Sequence, residues 1–418
     1  MSKNIAAIIL AAGRGERMKS EMPKVLHPLC GRPMLEYVLD LSRSLKLKKA
    51  VVVLGHKHRE VKNILRPGIK SVIQKRLIGT ADAVKAGLRA LRNFKGNVLI
   101  LYADMPLLQA ETLRKLIAYH EKNNPAATIL TAQVENPLGY GRVLRDKYSS
   151  ICAIVEEKDA DEYESDIKEI NTGIICFDKD KLNSALKSVH PFNRKSEYYL
   201  TDAISIIYKK GALVEAVRLK DINEALGINS RSDLAKGNRI MQERINEKFM
   251  REGVSIVDPH STFISFGAKI GKDSIIYPFT VIEKTVTIGK RCQIGPFAHL
   301  REGANIAEDC LVGNFLEIVR SRLAAKTLIK HFSYIGDTRI GRSANIGAGT
   351  VTANFDGKKK NLTIIQDKAF VGSDTVLVAP VKVGRGACTG AGSVVLKDVA
   401  AGSTVVGVPA RLLKRSPK

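Results

Sequence analysis

The chain has 418 residues, 44% of them hydrophobic, and 67 Lys and Arg against 42 Asp and Glu give it a formal net charge of +25. It is too long for a typical single domain and can bury two or three cores. No apolar run approaches the roughly 18 residues that span a bilayer, and "IAAIILAA" (residues 5–12) runs into charge without a cleavage-like segment, so a soluble cytoplasmic protein with no membrane span is expected.

The six cysteines form no C-x-x-C pair, which argues against a metal knuckle and a disulfide framework. The basic residues are spread along a chain that has no Trp, so nucleic acid is not expected as a partner, and phosphorylated small molecules are.

In chain order, "IAAIILA", "KAVVVLG" and "NVLILYAD" read as strands, and "MLEYVLDLSRSL", "ADAVKAGLRALRNF" and "AETLRKLIAYHEK" as amphipathic helices. Such alternation predicts a Rossmann-like α/β domain with a mostly parallel sheet, whose ligands sit beyond the carboxyl ends of the strands. The segments there, "LAAGRG", "VLGH" (Val53 to His56) and "LYADMP" (Leu101 to Pro106), are candidates for one shared pocket. "RSDLAKGNRIMQERINEKFMREG" reads as a connecting helix.

Beyond it, aliphatic residues recur every six positions at Ile270, Ile276, Ile282, Ile288, Ile294, Leu300, Ile306, Val312 and Ile318. After an interruption the register returns at Val371, Leu377, Val383, Thr389 and Val395. A hexapeptide period predicts a β-solenoid. The domains are expected at 1–230, with a linker helix at 231–252 and the solenoid at 253–418.

The loop after the first strand is neither a Walker A motif nor a full dinucleotide fingerprint, since Met18 stands where a third glycine would. Its glycines let backbone approach a ligand closely, and Arg14, Arg17 and Lys24 are cations for a polyphosphate. Asp104, at the end of an apolar strand, and Asn229, just before the connecting helix, read equally well as cap residues or as metal ligands.

"LAAGRGERMKSEMPKVLHPLCGRPM" resembles the L-A-A-G-x-G-T-R-M…P-K-V-L-H motif of sugar-1-phosphate nucleotidyltransferases, and the match continues through "QKRLIGTADAV", "LYADMP", "LGYGRV", "IVEEKDA", "EINTGI" and "YYLTDAI". With a hexapeptide solenoid attached, the chain resembles the bacterial bifunctional N-acetylglucosamine-1-phosphate uridyltransferase/glucosamine-1-phosphate acetyltransferase family, whose fold adds a left-handed parallel β-helix to the α/β domain.

The resemblance implies that Leu10, Ala11, Ala12, Gly13, Gln74, Gly79 and Thr80 bind UTP, that Arg17 and Lys24 hold its phosphates catalytically, and that Gly141, Glu156 and Asn171 contact N-acetylglucosamine. It makes Asp104 and Asn229 ligands of Mg²⁺. In the solenoid it makes His331 the catalytic base, places Arg301, Tyr334 and Asn345 on the sugar phosphate, and sets Ala348, Asn354, Phe355, Ser373 and Ala391 along acetyl-CoA. It also implies a homotrimer formed through the β-helix.

Five positions depart from the family pattern: Glu16 for Thr, Ala103 for Gly, Phe355 for Tyr, Val319 for a lysine on the sugar phosphate, and Val408 for an arginine near the coenzyme. The last two leave an alternative open, a uridyltransferase whose solenoid is an oligomerisation scaffold or an altered acyltransferase.

Overall fold

All seven residues of Ile5–Ala11 are buried, as a strand covered on both faces requires. In the computed structural model, which describes residues 4–413, Ala6, Ile8 and Leu10 face one core with helices Thr80–Ala90, Lys179–Leu186 and Asp202–Lys209. Ile5, Ala7, Ile9 and Ala11 face a second core with helices Met34–Ser44, His58–Asn63 and Ala110–Asn123. Strand alternation therefore divides one apolar run between two layers.

Among the described residues the sheet has nine strands, and its main path runs Val214–Arg218, Ala127–Gln133, Glu169–Asp178, Asn97–Tyr102, Ile5–Ala11, Lys49–Leu54, Lys70–Ile73. Only Glu169–Asp178 is antiparallel to its neighbours on this path, and the hairpin Gly141–Arg145/Ile151–Val155 pairs with it. The parallel strands on the Ile5–Ala11 side send their following loops to one end of the sheet.

The chain divides into two compact units, Met1–Ile240 and Met241–Lys418, and the division falls inside the helix Arg231–Arg251. Among the described residues the second unit is a three-walled β-helix whose walls carry ten, eight and seven short strands, all parallel except the last, Arg411–Leu412. Each inward aliphatic stacks on its equivalent one coil away, as in Ile276↔Ile294↔Val312 and Ile282↔Leu300↔Ile318. Corners are made by residues with positive φ at six-residue spacing, Asp273, Phe279, Thr285, Arg291 and Phe297. A non-glycine residue in that conformation costs about 1–2 kcal/mol, which the ladder hydrogen bonds and stacked core offset.

The interruption expected after Ile318 is not one. Inward positions continue at Leu323, Ile329, Ile335, Ile340, Ile346 and Thr352. Two five-residue steps, from 318 to 323 and from 335 to 340, and one loop after Ala353 shift the period without breaking the coil. His331 therefore occupies an ordinary corner between strands Leu328–Ile329 and Ser333–Gly336.

Candidate functional site

In the first unit, the loops at the end of the sheet enclose a cleft of about 480 Å³ lined by Leu10 to Arg14, Lys24, Gln74, Gly79, Thr80, Tyr102 and Asp104, among others. Two glycines make this possible. At Gly15 (φ 70°) a Cβ would meet that of Lys24 at 2.6 Å, so glycine lets the lysine stem pass. At Gly79 (φ 128°) a Cβ would lie 2.3 Å from the Tyr198 carbonyl oxygen. Buried Gln74 is fixed by donating to the Gly79 carbonyl at 3.1 Å and to Asp82 at 3.0 Å, and Thr80 Oγ1 accepts from Leu200 N–H at 2.9 Å.

The floor of the cleft brings together three residues from distant segments. Lys24 Nζ donates to Asp104 Oδ2 and, at 2.9 Å, to Asn229 Oδ1. The Asp104 carbonyl accepts from Ile228 N–H at 2.8 Å, which seats Asn229 beside it. The cap alternative for Asn229 does not apply: Asp233 accepts from the Ser230 N–H and hydroxyl at the helix start, while the Asn229 carboxamide oxygen turns to Lys24. Two oxygen donors of hard character thus already converge on a cation. Among the described residues no group of three or more His, Cys, Asp or Glu could hold a metal ion.

Arg17 stands exposed on the short turn Glu16–Met18 and is absent from the cleft lining, where Arg14 and Glu16 appear instead, 3.6 Å apart. His56 also stays out of the lining: its N–H donates to the Ala12 carbonyl at 3.2 Å, so "VLGH" braces the loop. Asn171 pairs across the sheet with Gly141, and Arg142 with Val155, which places Glu156 near both. Burial raises the Glu156 carboxyl above its usual range, against a 2.9 Å bond from Thr201 Oγ1. Asp202 nearby is pushed up to about 6 by burial and then by Glu156 and Asp159.

In the second unit the register puts His331, Ala348, Ser373 and Ala391 at equivalent corner positions of successive coils. Gly349 N–H donates to the Phe332 carbonyl at 2.7 Å, Asp374 N–H to that of Ala348 at 2.6 Å, and Gly392 N–H to that of Ser373 at 2.8 Å. Neighbouring strands lie about 4.8 Å apart, so this row runs some 14 Å along one edge. His331 is exposed there.

Arg301 and Tyr334 stand on the wall after that corner, while Asn345 stands on the wall before it. The polar groups on the first of these walls hold one another. Arg301 pairs with Glu317 at 2.7 Å, Arg320 grips Asp337 through two 2.7 Å bonds, and Asn354 donates to Asp337 at 2.5 Å. The Arg320 bonds, and then Asn354, hold the Asp337 carboxyl below its usual range. Val319 is level with Arg301, apolar and 3% exposed. Phe355 is exposed at the base of the loop after Ala353, bridging to Lys360, and Val408 is exposed near the end of the described residues.

Residues 7–162 match the MobA-like NTP transferase domain, and residues 267–302 match the bacterial transferase hexapeptide (six repeats). Bifunctional protein GlmU of Desulfitobacterium hafniense (strain DSM 10664 / DCB-2) is 42% identical over 434 residues, covering 96% of this chain and 95% of that protein. The chain belongs to the bifunctional GlmU family. GlmU of Thermosipho africanus is 43% identical over 433 residues, with 96% and 94% covered, and that of Bacillus subtilis (strain 168) is 41% identical over 426 residues, with 94% and 93% covered.

Sequence reasoning missed Tyr102 and Glu197 in the cleft lining. Tyr102 lies two residues before Asp104, and burial, then Glu156 and Asp104, raise its phenol above the usual range. The available signal was its place at the carboxyl end of an apolar strand. No local signal marks Glu197, which the fold brings from the far end of the unit.

Proposed function

We propose that the chain makes UDP-N-acetylglucosamine in two steps: the second unit acetylates glucosamine-1-phosphate with acetyl-CoA, and the first then transfers the uridylyl group of UTP to the product, releasing pyrophosphate. The observation that supports this best is the Lys24–Asp104–Asn229 cluster on the floor of a nucleotide-sized cleft. It occurs in a chain matching bifunctional proteins over nearly their whole length.

Uridylyl transfer proceeds by attack of a sugar phosphate oxygen on the α-phosphorus of UTP. The bond to pyrophosphate breaks and no covalent enzyme intermediate forms, so positioning and charge neutralisation do most of the catalysis. The Leu10–Gly13 backbone, Gln74, Gly79 and Thr80 hold the uridine, Gly141, Glu156 and Asn171 hold the sugar, and Lys24 neutralises phosphate, a role the resemblance alone extends to Arg17. Asp104 and Asn229 offer hard oxygen donors that would hold Mg²⁺, which would supply charge neutralisation when bound.

For acetyl transfer, His331 takes the proton of the sugar amine as its nitrogen attacks the thioester carbonyl, and the coenzyme thiolate leaves. Arg301, Tyr334 and Asn345 bind the sugar phosphate, while Ala348, Asn354, Phe355, Ser373 and Ala391 line the coenzyme. Because two walls meeting at the His331 corner face apart, a second copy is needed to close this pocket. The exposed stack of Phe279, Phe297 and Phe315, with centroids 4.8 Å apart, supplies an apolar face for a homotrimer.

No helix among the described residues is long and apolar enough to cross a membrane, in keeping with a cytoplasmic enzyme acting on small molecules. Burial of Val319 and the Asp337 grip on Arg320 favour a second reading in which only uridylyl transfer remains. Following free thiol and pyrophosphate separately, with glucosamine-1-phosphate, acetyl-CoA, UTP and Mg²⁺, distinguishes the two. The two-step reading expects both products, with pyrophosphate dependent on acetyl-CoA. Pyrophosphate formed only from N-acetylglucosamine-1-phosphate, with no thiol, leaves the second reading.

A further inference from the structure

A second cleft of about 460 Å³, nearly the size of the nucleotide cleft, opens between helices Thr80–Ala90 and Lys179–Leu186. Leu88 and Leu186, both buried, lie beneath it, and Lys85, Arg89, Arg92, Lys179 and Lys187 surround it against one carboxylate, Asp180. A further hollow shares Arg89 and Arg92 and adds Lys49 and Lys70.

None of these seven cations has a carboxylate within salt-bridge distance among the described pairs. Many other arginines do: Arg32, Arg142, Arg145, Arg291, Arg301 and Arg320 are each paired. Three of the seven are also tethered. Lys70 donates to the Ala90 carbonyl at 3.1 Å, Lys179 to the Phe94 carbonyl, and Lys85 lies 5.4 Å from the Tyr198 ring centroid. Concentrating unpaired like charge around a concave surface costs free energy in the empty state, which an anion relieves on binding.

We propose that this cleft is a second anion-binding site, outside both reaction centres, for a small ligand carrying a chain of phosphates, either inorganic or nucleoside oligophosphate. Its volume suits a small molecule, and its donors are Lys ammonium and Arg guanidinium groups, which take phosphate as point charges and as bidentate forks. Helix Thr80–Ala90 carries Lys85 and Arg89 here and Thr80 and Ala83 in the nucleotide cleft, so one rigid element adjoins both.

The test is calorimetric titration of the full chain with inorganic tripolyphosphate, without Mg²⁺, at low and moderate salt. The Arg89→Glu/Arg92→Glu variant changes two exposed side chains that take no part in uridylyl transfer. It should lose one equivalent of binding, or bind there at least about tenfold more weakly, with uridylyl transfer unchanged. Lys62→Glu/Arg114→Glu makes the same charge change on helices that pack against the opposite core, and should bind as wild type does.

ATP binding the cleft more tightly than tripolyphosphate identifies a nucleoside ligand, and equal affinity an inorganic one. An unchanged titration in the Arg89/Arg92 variant overturns the site. So does equal weakening in the control pair. Tighter binding of a single-stranded oligonucleotide, lost in the same variant, overturns the small-ligand assignment.

Discussion

The two units place their candidate chemistry by opposite means. In the α/β unit, loops at one end of the sheet converge, so residues 24, 104 and 229 meet within hydrogen-bond distance in a single chain. In the β-helix, each coil contributes one residue to a row along an edge, so His331, Ala348, Ser373 and Ala391 form a line. A convergent sheet end makes a pocket, whereas a solenoid edge makes one side of a pocket, whose other side the proposed homotrimer would supply.

If the two centres are independent, substitutions should separate them. The largest effect is expected at Asp104. Asp104→Ala removes the proposed charged metal donor and should lower uridylyl transfer by about 10³ or more while acetyl transfer stays within about twofold. His331→Ala is the converse, expected to lower acetyl transfer by about 10²–10⁴ and leave pyrophosphate release from N-acetylglucosamine-1-phosphate unchanged. Loss of both activities in either variant would mean that the units do not act separately.

Val319→Lys sharpens the comparison within the β-helix. A cation level with Arg301 should lower KM for glucosamine-1-phosphate by about tenfold, as one added charge-assisted phosphate contact would. An unchanged KM would mean that Arg301 and Arg320 already suffice despite their carboxylate partners.

The smallest effect concerns stability of the α/β unit. The folded pKa of Asp202, about 6, lies above its unfolded value, so the folded chain holds the extra proton. Asp202 thus favours folding below about pH 4, and that contribution is lost as pH rises through about 6. Asp202→Asn should raise Tm by about 2–4 °C at neutral pH, with the gap closing in acid. A gap that does not change with pH would assign the effect to something other than this carboxyl.

How far each unit was legible follows from the same contrast. "IAAIILA", "KAVVVLG" and "NVLILYAD" become strands, and the three amphipathic patterns become helices, because burial on two faces and on one face write different periods. The antiparallel strand Glu169–Asp178 was not foreseen: "EINTGI" looked like a sugar-contact motif, and strand direction leaves no local trace.

In the β-helix the period was legible, and its apparent break came from two five-residue steps and the loop after Ala353, which defeat a count of sixes although each inward side chain still finds its neighbour. The Lys24–Asn229 contact spans 205 positions and was reachable only through resemblance. The basic cleft was hidden for a related reason. Its cations, from Lys49 to Lys187, look dispersed along the chain, and folding gathers them.

On the proposed reading the first centre is complete in one chain and the second is not. This is tested most directly by Phe297→Glu, which places a charge in the exposed aromatic stack, with oligomeric state and both activities measured on the same preparation. Dissociation to monomers that retain uridylyl transfer and lose acetyl transfer is expected. Monomers that acetylate glucosamine-1-phosphate at the wild-type rate would contradict that reading.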